Sequence, residues 1–415
     1  MHHTHKEAAD DVRMRGFTRR HTVQAALAWL DEQLHPLEAE VVPLRAAAGR
    51  VLAASVVADV DVPGFDRATM DGYAVVASST EGATAYNPLP LTVVGESMPG
   101  SPFDGSVSAG TAVRIMTGAP IPGGADAVLP AEWVEEAAGQ SIRALNAVSP
   151  GKNLGPRGED ILRGTILLEG GRVLRPQDLG VLSSTGHAEL CVIRRPRVRL
   201  AITGNELLPA GTRPHGFHIA DANGPMLAAL IERDGGLVDF PGLVRDDRDA
   251  LLNALYADAD IVIVSGGSSV GIEDLAPTLV AQHGDLAVHG IAMRPSSPTG
   301  LGRIEHRLLF LLPGNPVSSL CAYDFFAGRA IRALGGRSTA WPYRAVTGRL
   351  NRKISSPIGR LDYARVKFVD GLVEPLAVAG ASLLSSTTRA DGFVIVGDDS
   401  EGFAAGSAVE VWLYD

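Results

Sequence analysis

The pattern of apolar and polar positions divides the chain into regions of different secondary structure. Between residues 22 and 58 apolar residues recur first at helical spacing and then at strand spacing, and Pro36 ends the predicted helix. From Gly72 to about Ser149, short apolar runs alternate with Pro and Gly, which predicts a small all-β insertion. Residues 150–193 return to a mixed pattern, with a helix predicted to begin at Pro176.

A repeated strand–loop–helix pattern follows between residues 197 and 334. Its predicted strands are four nearly continuous aliphatic runs: 198–202, 238–244, 260–264 and 308–312. Its helices are predicted from about Gly224, from Asp274 and over 317–333. Solid aliphatic strands separated by helices indicate a parallel sheet covered on both faces. Beyond Gly336, alternating runs predict a small C-terminal barrel or sandwich; they are 345–350, 364–369, 393–396 and 408–413.

The composition argues against several classes of protein. The 415 residues are enough for two to four domains, and a net charge of −10 argues against a general nucleic-acid or membrane-surface binder. No run of about 18 apolar residues occurs, so no membrane span is expected. The first 22 residues are polar, and Cys191 and Cys321 are most simply explained as buried thiols. These features predict a soluble cytoplasmic protein.

Polar residues follow each predicted strand of the α/β region. Glu206 follows the first strand, Asp246 the second, Asp274 the third and Asn315 the fourth. In open parallel sheets ligands bind beyond these carboxyl ends, and carboxylates there suit a hard cation such as Mg²⁺. Asp274 is explained equally well as a helix N-cap and Asp246 as part of a solvated turn, whereas Glu206 matches no capping pattern.

The Gly-rich loop 265–271 follows the third strand. Its glycines would let backbone amides approach a phosphate, with the next helix N-terminus adding partial positive charge. A tight strand-to-helix turn that needs glycine explains the same residues. Ser268 breaks the dinucleotide fingerprint, and Gly151-Lys152 is followed by Asn153 rather than Ser or Thr, so neither common phosphate motif is present.

A second group of polar loops lies outside the α/β region. The segment 63–73 combines two acids, an arginine and two aromatics with glycines near both ends. Segments 114–120 and 157–161 have the same mixed character. A surface turn explains any one of them, for example Asp71-Gly72, but three such loops together favour a functional role.

These segments carry a resemblance to a known family. The matching stretches, in order, are PGFDRATMDGYAV (63–75), RIMTGAPIPGGADAV (114–128), GEDI (158–161), AITGNEL (201–207), SGGSSVGIED (265–274) and LLPGNPVSS (311–319). The chain resembles molybdopterin molybdenumtransferases, including the corresponding E domain of gephyrin, over nearly its whole length.

The resemblance implies a multidomain α/β plus β fold with a central parallel-sheet domain. The implied domains are an elongated linking and dimerisation domain (18–61 and 153–193), a β-rich insertion (62–152), a molybdopterin-binding α/β domain (194–336) and a C-terminal β-barrel (337–415). It also implies a homodimer whose active sites are shared between the α/β domain of one subunit and the β insertion and linking loops of the other. The implied reaction joins molybdate to adenylylated molybdopterin with Mg²⁺, giving molybdenum cofactor and AMP. The pathway's adenylyltransferase and recipient molybdoenzymes are possible partners.

The family's site residues carry over to matching positions. Glu206, Asp246 and Asp274 would line the pterin and metal site, and Asp71, Thr117 and Asp160 would come from the partner subunit. Glu206, Asp71, Asp160 and Asp274 are the expected catalytic residues. The expected substrate-binding residues on the α/β domain are Ser265, Gly266, Gly267, Ser269, Gly271, Arg294, Pro313, Asn315 and Pro316.

One segment departs from the family pattern. Residues 294–298 read Arg-Pro-Ser-Ser-Pro where members commonly have Lys-Pro-Gly-Lys-Pro, so Arg294 keeps one cation and Ser297 loses the other. Two alternatives to metal insertion stay open. One is the pathway's adenylyltransferase, which usually lacks the insertion and the barrel. The other is a non-catalytic pterin-binding scaffold, against which the retained acids argue.

Overall fold

The computed structural model describes residues 20–266, 275–377 and 380–414. Their contacts divide the chain into two compact units. One consists of Val41–Ala48 and Leu52–Leu190, and it is called the insertion unit below. The other contains the segment up to Glu40, Gly49–Val51 and the chain from Cys191 onwards, and it is called the sheet unit.

The insertion unit is built on a six-stranded sheet, which confirms the predicted all-β insertion. In spatial order its strands are Ala127–Pro130, Gly72–Val75, Thr111–Ile115, Leu89–Ser97, Ser141–Ala144 and Val134–Ala137. One neighbouring pair is parallel and the others are antiparallel. Alternate residues fill separate apolar cores on the two faces, since successive side chains of a strand point to opposite sides.

Short elements complete this unit. Two small antiparallel pairs join Arg67–Ala68 to Leu154–Gly155 and Val56–Val57 to Ile166–Leu168. The helix Pro176–Ser184 begins at the predicted proline, whose missing amide hydrogen costs nothing in a first turn. Single 3₁₀ turns are Leu44–Ala46, Ala77–Thr80 and Ala131–Trp133. The strands Ala39–Pro43 and Glu189–Ile193 contain boundaries between the units.

The sheet unit has a central seven-stranded sheet. Its main path runs Leu237–Asp239, Arg197–Thr203, Ile261–Ser265, Arg307–Leu312, Gly300–Ile304 and Asp285–His289, and Leu243–Val244 pairs with the end of Arg197–Thr203. The predicted strands form the parallel part. The two strands at one edge are antiparallel and were not predicted, because their many Gly and charged residues give no aliphatic run.

Helices cover this sheet as expected for an α/β domain. They are Asn223–Arg233, Arg248–Leu255, Leu275–His283 and the run Pro316–Ala322, Tyr323–Ala327 and Gly328–Leu334, whose middle part is a π-helix. The N-terminal helix Val23–Asp31 also buries its apolar face in this unit's core. The predicted single strand 238–244 was wrong in one respect: it is broken in two, since Pro241 and Gly242 disfavour continuous pairing.

The C-terminal part of the sheet unit is a second, mostly antiparallel sheet, in agreement with the predicted β domain. Its strands are Met293–Arg294, Leu361–Val369, Gly392–Val396, Ala408–Leu413 and Arg344–Arg349, with Leu372–Ala377 paired to Leu361–Val369. The remaining elements are the helix Ser385–Thr388 and the pairs Ile354–Ser355 with Gly402–Phe403 and Leu207–Leu208 with Ile219–Ala220. Met293–Arg294 comes from the α/β segment of the sequence, so this sheet draws on residues of both segments.

The cysteines are unpaired, as expected for two thiols that form no disulfide. Cys321 is buried in the helix Pro316–Ala322. The expectation that Cys191 is buried was wrong: it is exposed, because alternate residues of its strand face outwards. Within the described ranges, no helix has the length and apolar character required to cross a membrane.

Candidate functional site

A cavity of about 560 Å³ lies at the carboxyl ends of the parallel strands. Glu206 and Asp246 both line it, and they approach from the ends of neighbouring strands. The predicted substrate-binding residues on its wall are Ser265, Gly266, Pro313, Asn315 and Pro316. The structure therefore gathers on one cavity residues that are separated by more than a hundred positions in the sequence.

The floor of this cavity is held by a buried hydrogen-bond network. Asn223 Nδ2 donates to Ser265 Oγ at 2.9 Å and to the Gly314 carbonyl oxygen at 2.8 Å. A side chain at Gly266 would place its Cβ 2.0 Å from the Thr203 carbonyl oxygen, and φ there is +101°, so only glycine fits. Asn223 thus fixes the third and fourth strand ends against each other.

Two polar atoms at this cavity have no hydrogen-bond partner among the described residues. They are Asn223 Oδ1 and Thr203 Oγ1, and both are buried. Buried polar groups are normally paired, and leaving one unpaired costs about 1–3 kcal/mol. Their position on the wall favours a polar ligand in this cavity.

Asp221 is a third carboxylate on the same wall, and it was not among the predicted site residues. It does cap the helix: its Oδ1 accepts a hydrogen bond from Gly224 N at 2.8 Å. The neighbouring acid Asp247 is also a cap, accepting from Ala250 N at 2.9 Å, which separates its role from that of Asp246. Four predicted residues, Gly267, Ser269, Gly271 and Asp274, lie outside the described residues.

A smaller cavity of about 380 Å³ adjoins the first and shares Pro298, Pro313 and Asn315 with it. Three arginines line it: Arg20 from the N-terminal segment, Arg294 and Arg360. Only Arg294 was predicted. Arg20 is held nearby because its neighbour His21 exchanges backbone hydrogen bonds with Gly290 and Ala292. No sequence pattern connects Arg20 and Arg360, which lie 340 positions apart in segments of different local structure.

Several donors of the smaller cavity are buried without a hydrogen-bond partner in the described chain. They are Arg294 Nε, Arg360 Nε and Ser297 Oγ. Guanidinium and hydroxyl donors of this kind match the acceptor oxygens of a tetrahedral oxyanion. The cavity is thus cationic in a chain whose overall net charge is −10.

The segment 294–298 forms part of this wall, and Ser296 within it has an unusual backbone conformation. Ser296 has φ +93°, a left-handed conformation that favours glycine. Its hydroxyl donates to the Ser318 carbonyl oxygen in a buried position. The hydroxyl hydrogen bond therefore offsets the strain of a serine at this φ.

Replacing Ser296 separates these two effects. Ser296→Ala keeps the strained φ but loses the hydrogen bond, so we expect a loss of about 1 kcal/mol in the free energy of unfolding. Ser296→Gly loses the bond but relieves the strain, so it should be more stable than Ser296→Ala by about 1 kcal/mol. Urea unfolding of both variants measures the difference. An alanine variant as stable as the glycine variant would show that φ carries no strain.

The three predicted polar loops of the insertion unit come together. Arg67 forms an ion pair with Glu159 at 3.1 Å, and Ala68 exchanges backbone hydrogen bonds with Gly118 and Ala119. Asp71 Oδ1 accepts from both the amide and the hydroxyl of Thr117 at 2.7 Å. These hydrogen bonds, the hydroxyl first, lower the pKa of Asp71 below its usual value, so this exposed carboxylate is ionised at neutral pH.

Asp71 also lines a cavity of about 320 Å³ with Tyr73, Arg114 and Met116. Asp160 is not part of that wall. Asp160 is itself exposed in the segment 157–161, and its amide donates to the Val62 carbonyl oxygen at 3.0 Å. The structure thus joins Asp71 to Thr117 directly and connects Asp160 to them only through the turn that carries Glu159.

A hard cation such as Mg²⁺ would need oxygen ligands from the side chains that line these cavities. Among the residues that the structure describes, no group of three or more His, Cys, Asp or Glu side chains is arranged to hold a metal ion. Mg²⁺ commonly takes only one or two carboxylates and completes its shell with water and substrate phosphate. Glu206 and Asp246 on one cavity supply donors of that chemistry.

All three parts of this domain architecture match known protein families. A family model described as the MoeA N-terminal region (domain I and II) matches residues 21–186, a probable molybdopterin binding domain matches 200–333, and the MoeA C-terminal region (domain IV) matches 347–414. Molybdopterin molybdenumtransferase 2 of Mycobacterium tuberculosis is 35% identical over 384 residues, covering 89% of this chain and 94% of its own.

The chain belongs to the MoeA family. The molybdopterin molybdenumtransferase of Haemophilus influenzae is 32% identical and covers 94% of this chain and 97% of its own. The crystal structure of a molybdopterin biosynthesis MoeA protein from Pyrococcus horikosii superposes with a TM-score of 0.80 at 33% identity, covering 96% of this chain and all of that chain. The expected MoeA-like multidomain fold is therefore confirmed.

Proposed function

We propose that this MoeA-family enzyme transfers molybdenum from molybdate to adenylylated molybdopterin, releasing AMP and the molybdenum cofactor. The observation that carries the proposal is the pair of adjoining cavities with Pro298, Pro313 and Asn315 as their common wall. One has carboxylates and amide groups and the other has arginines. Two reactants of different charge can thus be held next to each other, which removes much of the entropic barrier to their reaction.

The smaller cavity suits molybdate. Arg294 and Arg360 carry planar guanidinium groups, each of which can donate two hydrogen bonds to one oxyanion. Arg20 adds a third positive charge. Ser297 Oγ, which replaces a lysine common in the family, is a neutral donor in the same wall. We infer that Arg20 and Arg360 supply the charge that Ser297 does not.

The larger cavity suits the pterin and its phosphates. Asn223 and Thr203 offer unpaired polar atoms, and the walls formed by Leu207 and Ile219 are apolar enough to hold a ring system. Ser265 and Gly266 begin the glycine-rich loop that would cradle the phosphate. Glu206 and Asp246 would hold Mg²⁺, which neutralises phosphate charge when bound.

We further propose that the enzyme is a homodimer with shared sites. The insertion unit exposes large apolar side chains: Val41, Val57, Leu162 and Ile166 are between 46% and 64% exposed. Val57 and Ile166 lie directly opposite each other in paired strands, and contiguous exposed apolar residues mark protein interfaces more often than isolated ones do. Asp71, Thr117 and Asp160 would reach the partner's site. Free cysteines support a reducing compartment such as the cytoplasm, where recipient molybdoenzymes would take the product.

The test is incubation of the purified chain with adenylylated molybdopterin, molybdate and Mg²⁺, with AMP measured by chromatography. We expect AMP release and molybdenum-cofactor formation only when all three are present, and a chelator should abolish both. As a control, the enzyme with ATP and unmodified molybdopterin should release no pyrophosphate.

Each alternative gives a different result. Pyrophosphate release from ATP would identify an adenylyltransferase. Tight binding of adenylylated molybdopterin with no AMP under any condition would identify a pterin-binding scaffold. AMP release that is unaffected by chelator would contradict the role proposed for Mg²⁺.

A further inference from the structure

Asp362 is a fully buried carboxylate behind the smaller cavity. It lies on the strand Leu361–Val369, directly opposite Arg294 in the parallel pairing of that strand with Met293–Arg294. It is absent from the cavity wall, and so it does not face a ligand directly. Neither the family motifs nor the strand-end pattern identified it.

Both of the arginines that Asp362 contacts line that cavity. Arg294 Nη2 donates to Asp362 Oδ2, and Arg360 Nε lies 3.2 Å from Asp362 Oδ1, although that second pair is misaligned for a hydrogen bond. One carboxylate thus holds two guanidinium groups that come from different parts of the chain. A charge this deeply buried is tolerated because two cations compensate it.

The pairing leaves binding capacity unused. Each guanidinium has five N–H donors, and Asp362 contacts only Nη2 of Arg294 and Nε of Arg360, so most of the donors on both groups are left for another acceptor. The three arginines Arg294, Arg360 and Arg20 together with the one carboxylate of Asp362 have a net charge of +2. That excess matches a dianionic oxyanion.

We propose that Asp362 is a positioning residue that fixes Arg294 and Arg360 in the geometry that binds the oxyanion. This inference rests on the proposed function, since it requires molybdate in the smaller cavity. Without the carboxylate, two long side chains of like charge would repel each other and sample many rotamers. Oxyanion binding would then have to fix both side chains in one conformation, and the conformational entropy lost in doing so would weaken the binding.

The proposal is distinguishable from a simple charge effect because the two predict opposite changes in oxyanion affinity when Asp362 is replaced by Asn. As a plain negative charge near an anion site, Asp362 would weaken binding, so Asp362→Asn would tighten it. As a positioning residue it strengthens binding, so Asp362→Asn should weaken it despite the more positive cavity. Asp362→Glu keeps the charge but displaces both guanidinium groups, so it should weaken binding as well.

The experiment measures molybdate and tungstate affinity of the full chain by isothermal titration calorimetry. We expect Asp362→Asn and Asp362→Glu each to raise the Kd by about 10- to 100-fold, the usual cost of removing a residue that orients a ligand-binding group. The affinity for adenylylated molybdopterin alone should stay unchanged. In an Arg360→Gln background, Asp362→Asn should have a smaller effect, because one of the two groups that it positions is gone.

Asp178→Asn is the matched control. Asp178 is also buried and also pairs with two arginines, Arg172 and Arg175, but none of these three residues lines the smaller cavity. It should lower thermal stability in the same way and leave oxyanion affinity unchanged. Should Asp362→Asn fail to fold, Asp362→Glu decides, since a pure charge role leaves its affinity at the wild-type value.

The outcomes separate this inference from the proposed function. A wild-type chain that binds no oxyanion removes the molybdate site and this inference with it. Wild-type binding together with unchanged or tighter binding in Asp362→Asn overturns only the positioning role.

Discussion

Glu206→Gln should reduce AMP release from adenylylated molybdopterin by about 10²–10³-fold, the usual loss when a charged group at a reacting centre is removed. The substitution keeps the size of the side chain and removes only its charge. Glu206 is exposed on the wall of the larger cavity, which Asp246 also lines. Steady-state AMP assays at saturating molybdate measure the loss, and added Mg²⁺ should recover part of it if the carboxylate helps to hold the ion.

The fold should be unaffected by this change. Substitution of an exposed side chain away from caps and buried pairs shifts stability by about 0.5 kcal/mol or less. Asp249→Asn is the control: Asp249 is an exposed acid in the helix that follows Asp246 and is not on the wall of either cavity of the sheet unit. Its AMP release should equal that of the wild type. Equal turnover of Glu206→Gln and Asp249→Asn would remove Glu206 from the site.

The position of the larger cavity could be predicted because it follows from backbone topology. Aliphatic runs identify buried parallel strands, and parallel strands bring their carboxyl ends to one edge. Glu206, Asp246 and Asn315 therefore meet there whatever the intervening sequence does. Helices between successive aliphatic runs make the strands parallel, and parallel strands end on the same side of the sheet.

The smaller cavity could not be predicted, since no periodic pattern links its residues. Arg20 reaches it through two backbone hydrogen bonds of His21, and Arg360 through the start of a C-terminal strand. The left-handed backbone of Ser296 could not be predicted either, because a φ of +93° is expected from sequence only where glycine is present. Tertiary packing alone determines these contacts, and the antiparallel edge strands were missed for a related reason.

A heterodimer of one Asp71→Ala subunit and one Glu206→Ala subunit should recover about half of the wild-type activity, although each homodimer is nearly inactive. In a two-fold dimer with shared sites, one site of the heterodimer combines the intact Glu206 with the intact Asp71, and the other site has lost both. Co-expression with two different affinity tags gives the heterodimer, and AMP release per dimer measures the recovery.

The expected recovery depends on the placement of Asp71 and Glu206 in different compact units. Asp71 is held by Thr117 in the insertion unit, whereas Glu206 lies at the sheet edge of the other unit. The control pairs Asp71→Ala with a subunit that carries both substitutions, because such a heterodimer contains no complete site and should stay inactive. If the Asp71→Ala and Glu206→Ala heterodimer is as inactive as this control, each subunit must use its own Asp71 and Glu206, and the shared-site arrangement is excluded.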